Sequence, residues 1–239
     1  MFTAAALVPS TPLLVPELGG ADLSASEELR TAAVKAAAQL AGAADAWTVL
    51  GVGHDDRIVA PDAVGTFAGF GVDVRVSLSP EVSGVPDRDL PLPALIGGWL
   101  RDQVAATTSA TVRIVAADAS PIACAEIGTQ LRRELDAESR RHGVLVVADG
   151  ATTLTPKAPG SYDPASLDFQ TELDAALADA DRAAIAQLDP VVCAEFGADG
   201  RAAWQVLAAL FDHRPVSSTL YSAAPFGVGY FVGTWRRDR

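Results

Sequence analysis

The chain has 239 residues, which is enough for one large α/β domain or two small ones. Apolar residues make up 49% of it and charged residues 20%, a composition that predicts a sizeable core and excludes a disordered chain. The formal net charge of −12 argues against nucleic acid as a partner, because binding phosphates requires a surplus of lysine and arginine.

The N-terminal segment and the cysteines indicate the cellular compartment of the protein. The apolar start of the chain has no basic leader and is interrupted by Pro9, Pro12 and Pro16, which is not typical of a signal peptide or a membrane span. Cys124 and Cys193 form no CxxC pair, so we expect two reduced core residues. We therefore predict a cytoplasmic protein with no membrane partner. Scarce lysine beside abundant arginine and alanine indicates a GC-rich bacterial gene.

The first half of the chain alternates strand and helix patterns. Short apolar or alternating runs predict strands, and longer stretches of helical composition predict helices. The predicted strands are 3–8, 46–52, 72–78 and 111–116, and the predicted helices are 21–43 and 92–105. Asp22 or Ser24 is a suitable N-cap for the first helix.

The second half continues the alternation around one long loop. A helix is predicted at 121–141 with Gly143 as its C-cap and His142 at its C-terminal end, followed by a central strand at 144–148. Later helices are predicted at 164–180, 181–187 and 200–211, and strands at 216–221 and 228–235. The pattern predicts a single α/β domain with a central mostly parallel or mixed sheet covered by helices on both faces.

The loop that begins at Asp149 is the best candidate for a site. It runs to Pro164, is rich in Pro, Gly, Ser and Thr, and leaves the carboxyl end of a central strand, where open α/β sheets bind ligands. Two other motifs are rejected. Gly51 and Gly53 lack the third glycine and the helix of a dinucleotide fingerprint, and no Gly-x-Ser-x-Gly elbow of a serine hydrolase occurs.

Three segments in order, 9–17, 149–156 and 221–230, resemble loops of the class III extradiol ring-cleavage dioxygenases. This is the family of the catalytic subunit of protocatechuate 4,5-dioxygenase. The resemblance spans 9–230, and its best-preserved pieces are LLVPELGG, LTPKAPGSYDP and APFGVGY. Family enzymes hold a non-haem ferrous ion with two histidines and one carboxylate, and a further histidine acts as acid and base.

Mapped onto this chain, the resemblance implies that most of these groups are gone. The two iron-binding histidines fall at Ser10 and His54, the acid/base histidine at Thr152 and the carboxylate at Ala223. Only His54 is retained, which implies a degenerate iron site with no cofactor. The leading hypothesis is a binding or regulatory protein without ring-cleavage activity, comparable to the Memo family, which shares the fold.

The alternative is an active metal-dependent oxygenase that cleaves aromatic rings, or a hydrolase, with Fe(II) or another divalent metal. Its ligands would be His54, Asp55 and Asp56, with Asp149 from the next strand end. Taken alone, a histidine after a Gly-x-Gly strand end is usually a hydrogen-bonded loop residue, and this explanation of His54 is favoured over a rebuilt metal site. Metal content would distinguish the two hypotheses.

If the mapping is right, the four mapped positions converge on one cleft at the carboxyl ends of the strands. Further pocket candidates are Tyr162, Tyr221, Thr153 and Asp149, whose polar groups would orient a small neutral or anionic ligand. The partner is otherwise an unknown small molecule or protein. The resembled enzymes assemble from several subunits, which favours a homodimer.

Overall fold

A computed structural model describes residues 1–19, 23–80 and 82–237. The strands are β1 (Phe2–Val8), β2 (Ala46–Gly53), β3 (Arg57–Val59), β4 (Val64–Thr66), β5 (Arg75–Ser77), β6 (Ser109–Ala116), β7 (His142–Val147), β8 (Val216–Ala223) and β9 (Tyr230–Arg236). The helices are α1 (Leu23–Ala43), α2 (Leu92–Val104), α3 (Pro121–Ala137), α4 (Ser166–Ala178), α5 (Arg182–Ala186), α6 (Pro190–Glu195) and α7 (Arg201–Leu210). Short 3-10 turns lie at Pro12–Leu14, Pro16–Leu18 and Phe67–Phe70.

Seven strands form one mixed sheet in the order β3-β6-β2-β7-β1-β9-β8. The four central strands, β6, β2, β7 and β1, are parallel to one another. β3 is antiparallel at one edge, and β9 and β8 are antiparallel to their neighbours at the other. The separate β4–β5 ribbon is antiparallel. The predicted α/β class with a mixed central sheet is therefore confirmed.

Helices cover both faces of the sheet because the central strands are apolar on both sides. Every residue of β7 is buried. On one face, residues of α1 and α2 such as Leu40 and Leu95 pack with Leu145. On the other face, residues of α3 to α5 and α7 such as Leu131 and Trp204 pack with the second set of strand side chains. Cys124 and Cys193 are buried free thiols, as predicted.

This arrangement creates a crevice at the carboxyl ends of the central strands. The connection that leaves β1 runs through α1 on the first face, whereas the connection that leaves β7 runs through α4 on the second. β1 and β7 are neighbours, so their two loops diverge and leave a gap between them. Such a switch point is where open α/β sheets bind ligands.

The turn between α3 and β7 differs from the prediction. The helix ends at Ala137 instead of 141, and Gly143 lies inside β7 instead of capping a helix. A Cβ on Gly143 would lie 2.6 Å from Leu40 Cδ1, so this glycine permits α1 to approach the sheet closely. His142 begins the strand, and its Nε2 lies 2.8 Å from Glu138 Oε2.

Other strand and helix boundaries also differ from the sequence prediction, and several short elements were not predicted. The strand predicted at 72–78 is only Arg75–Ser77, and it pairs with an unpredicted strand, Val64–Thr66. Arg57–Val59 and the helix Pro190–Glu195 were also missed. Asp22, one of the two proposed caps of α1, lies outside the described residues. Among the described helices, none is both long enough and apolar enough to cross a membrane.

Candidate functional site

A cavity of about 760 Å³ opens at the carboxyl ends of the parallel strands. Its apolar lining comes from the strand ends and from the start of α2: Val52, Leu92, Pro93, Ile114 and Val147. Its polar lining comes from the loops that follow β1, β2 and β7 and from the segment before α7. An apolar cavity with a few convergent polar groups, placed at a switch point, is the usual form of a small-molecule site.

Three of the four positions mapped from the dioxygenase resemblance line this cavity. They are Ser10, His54 and Thr152. Each follows a different strand of the parallel block, and parallel strands end at the same edge of a sheet. That shared edge brings together residues more than a hundred positions apart in the sequence.

The fourth mapped position does not join them. Ala223 ends β8, where it pairs with Tyr230, and it is exposed and absent from the cavity lining. It lies at the same end of the sheet, but β9 separates β8 from β1. The prediction that all four positions share one cleft is therefore wrong for Ala223.

Asp149 is the most perturbed polar group in the cavity. It is half-buried, and its Oδ1 accepts a hydrogen bond of 2.7 Å from the backbone N–H of Ser10. This bond joins the loops after β7 and β1 across the switch point. Burial raises the pKa of Asp149 to about 7, against the lowering effect of the Ser10 bond, and the nearby charge of Asp199 raises it further. The carboxyl group therefore changes charge near neutral pH.

Tyr230 lies close to Asp149, in a position that the sequence did not indicate as a site. It is buried at the start of β9, and its hydroxyl forms a hydrogen bond with Thr11. Burial, followed by the charge of Asp149, raises the pKa of Tyr230 to about 12. The phenol therefore stays neutral at physiological pH. It presents a hydroxyl dipole, and no charge, to the surroundings of Asp149.

Tight packing fixes the loop that carries Thr152. The Thr152 N–H donates to Phe196 O at 2.9 Å, and Gly160 N–H donates to Thr152 O at 2.9 Å. Gly197 adopts φ +65°, and a Cβ there would lie 2.1 Å from Thr152 Oγ1. Only glycine fits this contact and this backbone conformation without displacing its neighbours. The wall of the cavity at Thr152 is therefore built by two interlocked loops.

Gln170 on α4 holds the other end of this loop. Its Oε1 accepts a bond of 2.8 Å from the Ala151 N–H, and its Nε2 donates to Asp174 at 2.7 Å. A Cβ on Gly150 or Gly229 would lie 2.3 Å from Gln170 atoms. The glycine at 229, part of the best-preserved segments of the resemblance, therefore has a packing role.

The remaining pocket candidates lie elsewhere. Thr153 is buried and donates to Phe196 O at 3.3 Å. Tyr162 is exposed, and Tyr221 is half-buried in a groove against α1 near Glu28. None of the three lines the cavity.

Acidic groups dominate the charge of the cavity. Asp55, Asp56 and Asp199 line it together with Asp149, and Arg57 contributes a basic side chain to the same lining. The Arg57 guanidinium lies 4.0 Å from Asp87, which is not a lining residue, so part of its charge is engaged outside the cavity.

These residues do not fit the ferrous ion that the resemblance implies. Ser10 and Thr152 supply no imidazole, and Ala223 supplies no carboxylate. Asp56 Oδ1 accepts a bond of 2.9 Å from the Ala116 N–H, which directs it to the end of β6. Within residues 1–19, 23–80 and 82–237, no three His, Cys, Asp or Glu side chains are arranged to hold a metal ion. A rebuilt set of His54, Asp55 and Asp56 is accordingly not formed.

Comparison with known proteins shows the fold alone. No protein-family model matches the chain, and no curated protein matches it. The crystal structure of uncharacterized protein JW3007 from Escherichia coli K12 superposes with a TM-score of 0.59 at 11% identity. The match covers 98% of this chain and 99% of that one, so the whole domain has the same architecture.

Proposed function

We propose that this protein is a class III extradiol dioxygenase-like protein that binds a small molecule in the cavity and does not cleave aromatic rings. One observation carries the proposal. Ser10, His54 and Thr152 line a cavity at the switch point together with Asp149, yet the lining lacks the side chains of an iron site. The scaffold retains a place for a ligand after losing the residues that would bind the metal.

The lining indicates the class of ligand. Four aspartates and one arginine line the cavity together with apolar side chains, so the cavity favours an apolar body that carries a positive charge or hydrogen-bond donors. A carboxylate ligand would be repelled. The hydroxyl groups near the loops indicated a neutral or anionic ligand from the sequence alone, which does not reveal that Asp55, Asp56 and Asp199 line the same cavity as Asp149. The charge balance supports a neutral or cationic ligand instead.

Asp149 is the group most suited to bind such a cation. Its Oδ1 is held by Ser10, so the carboxyl is oriented before a ligand arrives. An ammonium group beside it would stabilise the ionised form and lower its pKa from about 7, so that binding releases a proton below neutral pH. Hydrogen bonds between charged groups are worth about 1.5–3 kcal/mol, enough to dominate selectivity among ligands of one shape.

Isothermal titration with benzylamine, benzyl alcohol and benzoate tests the proposal, because the three share one aromatic body and differ in charge. We expect benzylamine to bind most tightly and benzoate not at all. Asp149→Asn keeps the shape and the Ser10 bond, and it should weaken benzylamine by about tenfold or more. Asp168→Asn, on the exposed surface of α4, is the matched control and should change nothing. Equal affinity for benzoate, or no effect of Asp149→Asn, would contradict the ligand assignment.

A further inference from the structure

Two carboxyl groups of the cavity are fixed by backbone hydrogen bonds at the ends of different strands. Asp149 follows β7, and its Oδ1 accepts a bond of 2.7 Å from the N–H of Ser10, just beyond the end of β1. Asp56 Oδ1 accepts a bond of 2.9 Å from the N–H of Ala116, the last residue of β6. Both aspartates line the cavity. One carboxyl group therefore lies at the gap between β7 and β1, and the other lies at the end of β6.

The strand order and register give the spacing between these two groups. β6, β2, β7 and β1 are consecutive neighbours, so β2 lies between the two positions. Gly51 of β2 pairs with Val147 of β7 and with Ile114 of β6. Asp149 and Ala116 each follow this row by two residues, so the two groups lie at about the same level along the strands. Neighbouring strands are about 4.8 Å apart, which separates the two carboxyl groups by roughly 10–12 Å.

The strands between the two carboxyl groups present apolar side chains to the cavity. These are Val52 of β2, Ile114 of β6 and Val147 of β7, and Leu92 and Pro93 of α2 add to the same lining. None of these side chains carries a hydrogen-bonding group. A ligand that spans the cavity therefore needs a polar group at each end and an apolar chain between them.

Both ends of this span are acidic. Asp199 is near enough to Asp149 to raise its pKa, and Asp55 lines the cavity beside Asp56. Among the residues that the structure describes, none bonds to Oδ2 of Asp149 or of Asp56, so each carboxyl group keeps one oxygen for a ligand. The basic lining residue Arg57 is partly engaged by an aspartate outside the cavity. Two separate acidic groups favour a ligand with a cationic group at each end.

We infer that the ligand is an aliphatic α,ω-diamine, with one ammonium group at Asp149 and the other at Asp56. This inference rests on the proposed function and narrows its cationic ligand to a dication. Charged hydrogen bonds of about 2.8 Å at both ends leave about 5–6 Å between the two nitrogens. An extended chain advances about 1.2 Å per bond, so about three or four methylene groups match this distance.

Calorimetric titration of the wild-type protein with two matched pairs of compounds tests the inference. Each pair is a diamine and the amino alcohol of equal length: diaminobutane with aminobutanol, and diaminooctane with aminooctanol. We expect diaminobutane to bind about tenfold more tightly than aminobutanol, because its second ammonium group reaches Asp56. The longer pair should show little difference. About 0.15 M salt limits the general attraction of dications to a chain with a net charge of −12.

Substitutions identify the two ends of the site. Asp56→Asn can keep the bond from Ala116 N–H but loses the charge, so it should remove most of the advantage of diaminobutane over aminobutanol. Asp149→Asn should weaken both compounds. Asp168→Asn, on the exposed surface of α4, is the matched control and should change neither. Circular dichroism verifies that the variants fold, and the comparison of matched pairs on the wild-type protein does not depend on them.

The outcomes separate this inference from the proposed function. Equal affinity for diaminobutane and aminobutanol, still weakened by Asp149→Asn, would overturn the diamine assignment and leave the proposed function intact. Binding of neither compound would contradict both. An advantage of the diamine that is equally large for the longer pair, or that persists in Asp56→Asn, would show general attraction to an acidic chain and would overturn the inference as well.

Discussion

The parallel block of the sheet and its antiparallel end differ in where they place the four positions mapped from the dioxygenase resemblance. Loops after β1, β2 and β7 bring Ser10, His54, Thr152 and Asp149 to one cavity. The end of β8 carries Ala223 to the same edge of the sheet, but on the far side of β9 and in an exposed position. Neighbouring parallel strands end side by side, so the loops that follow them lie close together. A residue at the end of an antiparallel edge strand lies farther from these loops, because other strands separate it from them.

The two regions should respond differently to substitution. The cavity is built by interlocked loops with close contacts, so changes there should affect both stability and binding. The end of β8 has exposed side chains and space around them, so changes there should affect neither.

The largest effect is expected at Gly197. Gly197→Val places a branched side chain at φ +65° and against Thr152 Oγ1, and it should lower the free energy of unfolding by about 3 kcal/mol or more. Gly42→Ala in α1 is the control, because a Cβ there meets nothing within 4 Å. It should be neutral or stabilise by about 0.5–1 kcal/mol. Urea unfolding monitored by tryptophan fluorescence measures both. A well-tolerated valine at 197 would show that the loops are not interlocked.

A smaller and pH-dependent effect is expected at Asp149. Its pKa rises from 3.8 to about 7 on folding, so the unfolded chain ionises first as the pH increases. The stability that the protonated form provides is present below pH 3.8 and is lost between that value and about pH 7. Asp149→Asn avoids the loss, because the amide stays uncharged and can keep the Ser10 bond.

Asp149→Asn should therefore be close to the wild-type protein in stability at pH 4 and more stable by about 2 kcal/mol at pH 8. Urea unfolding at the two pH values provides the measurement. Asp168→Asn should show no such change between them. If Asp149→Asn destabilises the protein equally at both pH values, the ionised carboxylate is required for folding and the pKa assignment is wrong.

The smallest effect is expected at Ala223. Ala223→Glu restores the carboxylate that the dioxygenase resemblance places there, yet the residue is exposed and outside the cavity. The affinity for benzylamine should change by less than about twofold, and stability by less than about 0.5 kcal/mol. Calorimetric titration and thermal unfolding of the variant give both values. A clear gain in affinity would mean that the end of β8 reaches the cavity after all.

The sequence predicted the fold well where periodicity was strong. The apolar run of β7 and the strands before Ser10 and His54 were placed within two residues, because buried parallel strands have few alternatives. The end of α3 was misplaced, because the polar run before Gly143 continues a helical pattern. Gly143 is instead required for close packing against Leu40. This is a tertiary contact, which the local sequence does not reveal.

The site was predictable only where it follows directly from a strand end. Asp149 was selected because it leaves a central strand, and it does line the cavity. Asp199 and Gly197 were missed, since they reach the cavity from the segment between α6 and α7, whose position depends on packing. The sequence Gly-Ala-Asp-Gly at 197–200 does indicate a tight turn. Tyr230 was missed because it begins an antiparallel strand.

The proposed function requires that the protein neither retains a metal in the cavity nor cleaves aromatic rings. The most direct test is the metal content of protein purified without a metal-binding tag, with protocatechuate cleavage measured on the same sample after Fe(II) is added. We expect well under one equivalent of iron or zinc per chain and no ring-opened product. Stoichiometric Fe(II) that is lost in His54→Ala, accompanied by cleavage in the wild-type protein, would contradict it.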